Sequence, residues 1–296
     1  FFAAAVVALA TLLLVPAALV SMVDDAMRLD DTKLLWRATA ASDPRAALLV
    51  EVTKLDEVER QVTLRLSGYF ICGGCDYHEQ ITLYSFPTRR AAAEGVPPSR
   101  SINLPAGSQT VSEEVTLPLY GTLFRYPFDR YPLVLGLSTE RVGANGEVTP
   151  IPRAEGRAHL TLAVRDEAPR VDMQEPEELD LAGLQPGAVK REYLAAYDLT
   201  FARPGYLKIV VPLVVLLIAA AATFAVLLRP FDQLVLNSGA LVLGVWGIRG
   251  LVLGSFPPNV TLVDQALTCV IVFMLGAIAV RALTHLHGVA ELDLLP

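Results

Sequence analysis

The stretch that most constrains this chain runs from Tyr197 to Leu283. It reads as the last strand of a β-rich domain, a polar hinge at Phe201-Ala202-Arg203-Pro204-Gly205, and then three apolar runs. The runs are Tyr206–Leu228, Leu234–Gly254 and Leu262–Leu283. At about 1.5 Å of rise per residue, helices of this length match a hydrocarbon layer about 30 Å thick. Only Arg229-Pro230-Phe231-Asp232-Gln233 joins the first two runs, and Ser255-Phe256-Pro257-Pro258-Asn259 follows the second. A folded domain fused directly to a tight helical hairpin is arranged so that motion in one part passes to the other.

The chain has 296 residues, is 53% hydrophobic and has a mean hydropathy of +0.46. That is too apolar for an ordinary soluble enzyme. Phe1–Met22 is a fourth apolar run without a charge. Two readings stand, a retained membrane helix and a signal peptide. Length favours the helix, since a signal core spans about 7–15 residues and a small-residue cleavage site normally follows it. The chain opens without an initiator Met, so its start is expected upstream. The expected layout is an N-terminal transmembrane helix over residues 1–22, an extracytoplasmic β-sandwich over 23–205, a three-helix transmembrane domain over 206–285 and a cytoplasmic tail over 286–296. Four spans put both termini on one side. Arg229, Arg281, His285 and His287 favour the cytoplasm for that side, while Lys208 opposes it. The expected location is the cell (inner) membrane, with multiple passes through lipid.

Nearly all the charge falls in residues 23–205, which carry seven more acidic than basic side chains. An acidic surface argues against nucleic acid as a partner. Within this segment the strands announce themselves by alternation. Val62, Leu64 and Leu66 alternate with Thr63, Arg65 and Ser67. Leu160, Leu162 and Val164 alternate with His159, Thr161 and Ala163. Leu48–Val52, Val115–Leu119, Leu133–Leu137 and Ala195–Phe201 read the same way, and short strands divided by turns suggest a sandwich. Pro87–Ser108, Gly143–Gly156 and Ala168–Lys190 read as loops. The last holds Asp172, Glu175, Glu177, Glu178 and Asp180, a solvated cluster by default, with a cation site as the alternative.

Cys72-Gly73-Gly74-Cys75 reads as a two-residue hairpin turn, since Gly tolerates the positive φ such turns need. The two Cys would then face each other. Three states stand open: a disulfide, favoured by an extracytoplasmic setting, a zinc site with His78, and free thiols. The disulfide is the reading adopted, with no metal site. Cys269 in the last apolar run is read as a small core residue. No catalytic residue is proposed, because the sequence has no nucleophile elbow, phosphate-cradling Gly loop or HExxH helix. His159 is read as a solvated histidine on the polar face of a strand. No enzyme activity and no cofactor are expected.

Tyr126-Pro127-Phe128-Asp129 lies in a turn between two of these strands. Arg203-Pro204-Gly205-Tyr206 leads into the first membrane run, Pro212 lies near its start, and Pro257 precedes Thr261, Asp264 and Gln265. In this order the motifs resemble the pentameric ligand-gated ion channels, the Cys-loop receptor superfamily, especially its prokaryotic members. The chain also resembles uncharacterised bacterial membrane proteins with one helix, a domain and three further helices. The channel resemblance implies a homo-oligomer, with a pentamer as one form, gated by a small ligand or ion of no assigned identity. It implies that Tyr126, Pro127, Phe128, Asp129, Arg203 and Pro257 form a coupling interface in which Asp129 meets Arg203. It also implies that Leu234–Gly254 lines the pore. The family has four helices after its sandwich and this chain has three, so Phe1–Met22 is expected to take the peripheral place of the fourth.

A step of 3.6 residues places Gln233, Asn237, Leu241, Gly244 and Ile248 on one face of that helix, with Arg249 beside it. Only the inner end of this face is polar. An apolar constriction can gate by dewetting, and it can equally be plain packing. A charge at membrane depth is functional or paired by default. Arg249 therefore rings a pore, bonds backbone carbonyls or snorkels to the interface. The alternative to a channel is a non-conducting, membrane-anchored β-sandwich acting as a sensor or as a subunit of an envelope complex.

Overall fold

The computed structural model describes residues 12–23, 32–40, 45–72, 75–86, 97–104, 109–121, 123–180, 192–228, 230–253 and 260–292. Along the chain a helix, α1 (Leu12–Val23), precedes strands β1 (Lys33–Trp36), β2 (Arg45–Asp56), β3 (Gln61–Ile71), β4 (Tyr77–Phe86), β5 (Ser99–Leu104) and β6 (Gln109–Pro118). A single 3₁₀ turn, Leu123–Arg125, leads to β7 (Arg130–Gly143), β8 (Val148–Pro150), the short helix α2 (Arg153–His159) and β9 (Leu160–Asp166). Then come β10 (Asp172–Met173), β11 (Glu177–Glu178) and β12 (Ala195–Ala202), followed by α3 (Gly205–Leu228), α4 (Phe231–Leu253) and α5 (Leu262–Leu292). The chain divides into two compact units. One is Ala26–Thr122 with Asp129–Arg203, and the other is Phe1–Asp25, Leu123–Phe128 and Pro204–Pro296.

The first unit is a β-sandwich of a five-stranded sheet, in the order β1-β9-β2-β3-β6, and a seven-stranded sheet. The second sheet runs β10-β12-β7-β4-β5, with β11 beside β12 and β8 beside β7. Side chains alternate across a strand, so one face of each sheet can be wholly apolar. Val50, Leu64, Leu66, Leu162 and Val164 from the first sheet, and Ile81, Leu83, Leu133, Leu135 and Leu137 from the second, are fully buried. Burying one such side chain is worth about 1.5–3 kcal/mol, so these rows fix the register of both sheets. At the open edge Trp36 stacks on Tyr197, with centroids 6.0 Å apart, and joins the sheets there. Gly68 permits close approach of β3 to β2: a Cβ at this position would lie 2.1 Å from the Ala47 carbonyl oxygen.

Three expectations change in the sandwich. Cys72 and Cys75 are disulfide-bonded, with Cα atoms 5.7 Å apart, but they do not close a hairpin. β3 and β4 lie in different sheets, so the Cys pair marks a crossover between sheets. Gly73 and Gly74 lie outside the described residues. The bonded sulfurs leave no thiolate for zinc, and among the described residues no group of three or more His, Cys, Asp or Glu could hold a metal. The expected loops also carry structure: β5 falls in the first, the start of α2 in the second, and β10 and β11 in the third. These elements are short or exposed, so they carry little apolar alternation. Finally, His159 is not solvated. It closes helix α2 one residue before β9 begins, and its buried Nε2 lies 3.3 Å from the buried Glu79 Oε1. Helical phase, not strand alternation, sets its direction.

In the second unit, Gly205–Leu227 of α3 and Leu262–Thr284 of α5 are long and apolar enough to cross a membrane by length and composition. α4 is a further helix of 23 residues. The three helices share two buried clusters. One joins Tyr126 to Val211, Val245, Val263 and Leu267, and the other joins Ala222, Val226, Leu234 and Met274. Arg281 of α5 donates to the Val226 carbonyl near the end of α3. Helix α1 buries Ala18 and exposes Leu12, Leu13, Leu19 and Val20. A Cβ on Gly205 would come 2.6 Å from Ser21 Oγ, so the end of α1 lies against the start of α3. Cys269, expected in the core, is exposed on α5.

Candidate functional site

Two residues separate two kinds of structure at the end of the sandwich. β12 stops at Ala202, Arg203 and Pro204 follow, and α3 starts at Gly205. Pro cannot donate to a sheet ladder, and it suits the threshold of a helix. Arg203 is thereby held at the last position of the sandwich unit, and it is 3% exposed. A lone buried guanidinium is costly, so its partners decide what it does.

Asp129 supplies the first partner. Its carboxylate accepts from Arg203 Nε at 3.1 and 3.3 Å and from Arg203 Nη2 at 3.0 Å. It also accepts from the Tyr131 hydroxyl at 2.5 Å. The expected Asp129–Arg203 pair is thus present within the sandwich unit. Tyr131 adds its ring face, 5.8 Å from the guanidinium carbon. Burial and the Asp129 hydrogen bond push the Tyr131 phenol far above its ordinary value, so it acts as a fixed donor.

Sequence reasoning missed the second partner, Glu57, whose Oε1 lies 2.5 Å from Arg203 Nη2. It sits in the turn between β2 and β3. Asp56 shapes that turn by accepting from the Val58 and Glu59 amides at 3.2 and 3.0 Å. The Glu59 amide, followed by Lys54, holds the Asp56 carboxyl below its usual range. A signal was available: an Asp opening a turn between two alternating strands puts the next residue at the tip. Burial raises the Glu57 carboxyl above its ordinary value, although Arg203 works against the rise. Burial alone would weaken the Arg203 charge, but Glu57 and Asp129 outweigh it and hold the guanidinium above its normal value. The arrangement is one buried cation shared by two carboxylates, a phenol and, at 3.3 Å from Nη1, the Arg170 carbonyl.

The aromatic turn next to Asp129 divides. Tyr126 and Pro127 are buried and Phe128 is exposed. Tyr126 packs with α3, α4 and α5 in the helical unit, whereas Asp129 begins the second segment of the sandwich unit. Pro257 lies outside the described residues.

Of the proposed pore-lining residues, Gln233 and Gly244 are exposed on α4, and the side chains of Asn237, Leu241 and Ile248 lie outside the described residues. Arg249 donates from Nε to Asp264 on α5 and lies over the Trp246 ring, 5.3 Å from its centroid. Asp264 is itself held by the start of α5, accepting from the Thr261 amide at 2.8 Å and its hydroxyl at 3.0 Å. This is a capping arrangement, with Thr261 receiving the helix start and Asp264 reaching back.

Two members of the acidic cluster are held by different cations. Lys33 binds Glu175 at 3.0 Å, while Arg153 and Arg157 share Glu178 at 3.1 and 2.6 Å.

Residues 37–174 match a family described as a domain of unknown function, DUF4436. The matched span includes Glu57 and Asp129 and stops short of Arg203. No curated protein matches the chain.

Proposed function

We propose that this protein is an oligomeric, ligand-gated-channel-like membrane protein that couples an outer β-sandwich to a helical bundle. It is not an enzyme, and its partners are membrane lipid and further copies of itself. In this reading α1, α3, α4 and α5 are four spans in the inner membrane, the sandwich is extracytoplasmic and both termini are cytoplasmic. The observation that carries the reading is Arg203. One buried cation, two residues before α3, is gripped by the turn residue Glu57 and by Asp129, which follows the aromatic turn. A movement of either turn acts directly on the residue that leads into α3.

The exposed residues described on α4 support a second reading, a non-conducting sensor or a subunit of an envelope complex. Leu243, Gly244, Trp246 and Gly247 are exposed there, and none carries a charge. Native mass spectrometry in detergent, with cysteine cross-linking of Gln233→Cys and Gly244→Cys variants, separates the two. The channel reading expects a closed ring with cross-links between copies at both positions, and ion conductance in planar bilayers. A monomer, or a ring that never conducts under any tested ligand or pH, favours the sensor.

A further inference from the structure

We propose that residues 167–172 form a proton-responsive strap on the Arg203 cluster, fastened by Asp166. The inference rests on reading Arg203 as the coupling residue and adds a regulator to it.

The geometry is a closed loop with one fastening point. Asp166 ends β9, and its carboxylate accepts from the Ala168 amide at 3.0 Å and from the Met173 amide at 2.6 Å. One side chain therefore holds both ends of the loop. The Glu167 amide adds a bond to the Val52 carbonyl at 2.9 Å. Ala168, Val171 and Met173 are buried, while Pro169 and Arg170 face outward. Arg170 at the apex has φ of 69°, a left-handed value that a non-glycine residue adopts at a cost. That conformation goes with the Arg170 carbonyl accepting from Arg203 Nη1. The far end of the loop enters β10, where Asp172 pairs with Ala202 and Met173 with Phe201, the residues just before Arg203. The strap thus reaches Arg203 through a carbonyl and through the strand that carries it.

Asp166 is placed to sense protons. Burial pushes its carboxyl up to about 6, against the relief given by the Ala168 and Met173 amides. Asp172 on β10 adds to the rise and Lys33 on β1 opposes it. On its own strand, the neighbouring Arg165 is engaged by Glu51 and Glu167. With the strap open, the carboxyl is hydrated and returns towards its ordinary value of 3.8. The closed strap therefore binds a proton more tightly than the open one. Its closure is strongest below the open value, weakens as pH rises through about 6, and is constant above that. One proton linked in this way makes closure about tenfold weaker at pH 8 than at pH 5.

Hydrogen–deuterium exchange of the full chain in detergent, between pH 5 and pH 8 and corrected for intrinsic rates, tests the strap. Protection over 167–174 should fall about tenfold across this range, and protection over 199–204 should fall with it. Asp166→Asn, which keeps a neutral oxygen acceptor, should flatten the 167–174 profile and remove its share of the response at 199–204. Glu57→Gln should leave the 167–174 profile intact, which separates this group from the other perturbed carboxyl. A flat wild-type profile over 167–174 overturns the proposal, as does a pH response there with none at 199–204. An Asp166→Asn protein with the wild-type profile overturns it too. If that variant does not fold, the two wild-type profiles still decide. The readout uses neither conductance nor oligomeric state, so failure of the strap and failure of the channel reading are told apart.

Discussion

Arg203 and Asp129 lie 74 residues apart in the chain and meet as an ion pair whose side chains are 3% and 0% exposed. Surface pairs contribute about 0–1 kcal/mol, but breaking a buried one strands the remaining charge at a cost of about 3–5 kcal/mol. Arg203→Ala strands two carboxylates and should lower sandwich stability by about that amount. Arg203→Lys should recover only part, because an ammonium cannot reproduce the planar fork of donors. Denaturant unfolding of the detergent-solubilised chain measures both.

Charge reversal at the pair has an outcome specific to this site. Asp129→Arg with Arg203→Asp restores the pair but sets the new carboxylate against Glu57. The double variant should be more stable than either single one yet below wild type, and adding Glu57→Gln should close much of the gap. A double variant no better than its parents removes the pairing from the account.

The two carboxylates should rank differently. Asp129→Asn weakens a fully enclosed pair and should cost about 3 kcal/mol. Glu57→Gln should cost about 1 kcal/mol or less, because Glu57 is part-exposed and burial already disfavours its charge. Since the folded Glu57 carboxyl titrates above 4.5, the folded state holds that proton to a higher pH than the unfolded chain does. Its contribution to stability falls as pH rises from 4.5 through the folded value. Above about pH 4.5 the wild-type stability profile should fall more steeply than that of Glu57→Gln, which keeps the Asp166 contribution alone.

The aromatic turn offers a contrast between neighbours. Tyr126→Ala empties a buried site among Val211, Val245, Val263 and Leu267 and should cost the helical unit about 3–5 kcal/mol. Phe128→Ala, at a position 47% exposed, should cost less than about 1 kcal/mol. Thermal unfolding in one detergent compares the two directly.

Gly68→Ala should destabilise the sandwich by about 1–3 kcal/mol or more, because the atom it meets is backbone and cannot rotate away. A variant with wild-type stability would mean that β2 and β3 can part locally without loss.

Much of this was legible in the sequence where one residue reports on its neighbours. Alternation located β3 and β9, the hinge located the start of α3, and the Asp129–Arg203 pair followed from family resemblance. What escaped was set by distance or phase. Nothing near Glu57 announces a cation at Arg203, since Glu57 lies in a hairpin of one sheet and Arg203 follows a strand of the other. His159 was misread because a seven-residue helix ends where a strand pattern begins. The crossover at Cys72 was misread because a Gly-Gly pair suits a hairpin, and sheet membership is decided by the partners of β3 and β4, not by the turn.

The six residues Leu123–Phe128 count with the helices although sandwich sequence flanks them on both sides. Neither unit is therefore a continuous gene segment. An excised sandwich ending at Arg203 would carry an unpartnered Tyr126, and a helix bundle begun at Pro204 would lack the aromatic plug of its own core. Chimeras that exchange the sandwich by a single cut at the hinge should fail for that reason, whereas exchanges that leave Leu123–Phe128 with its own helices should survive. Such a chain is transplanted or inherited as a whole, or with two cuts more than its domain diagram suggests.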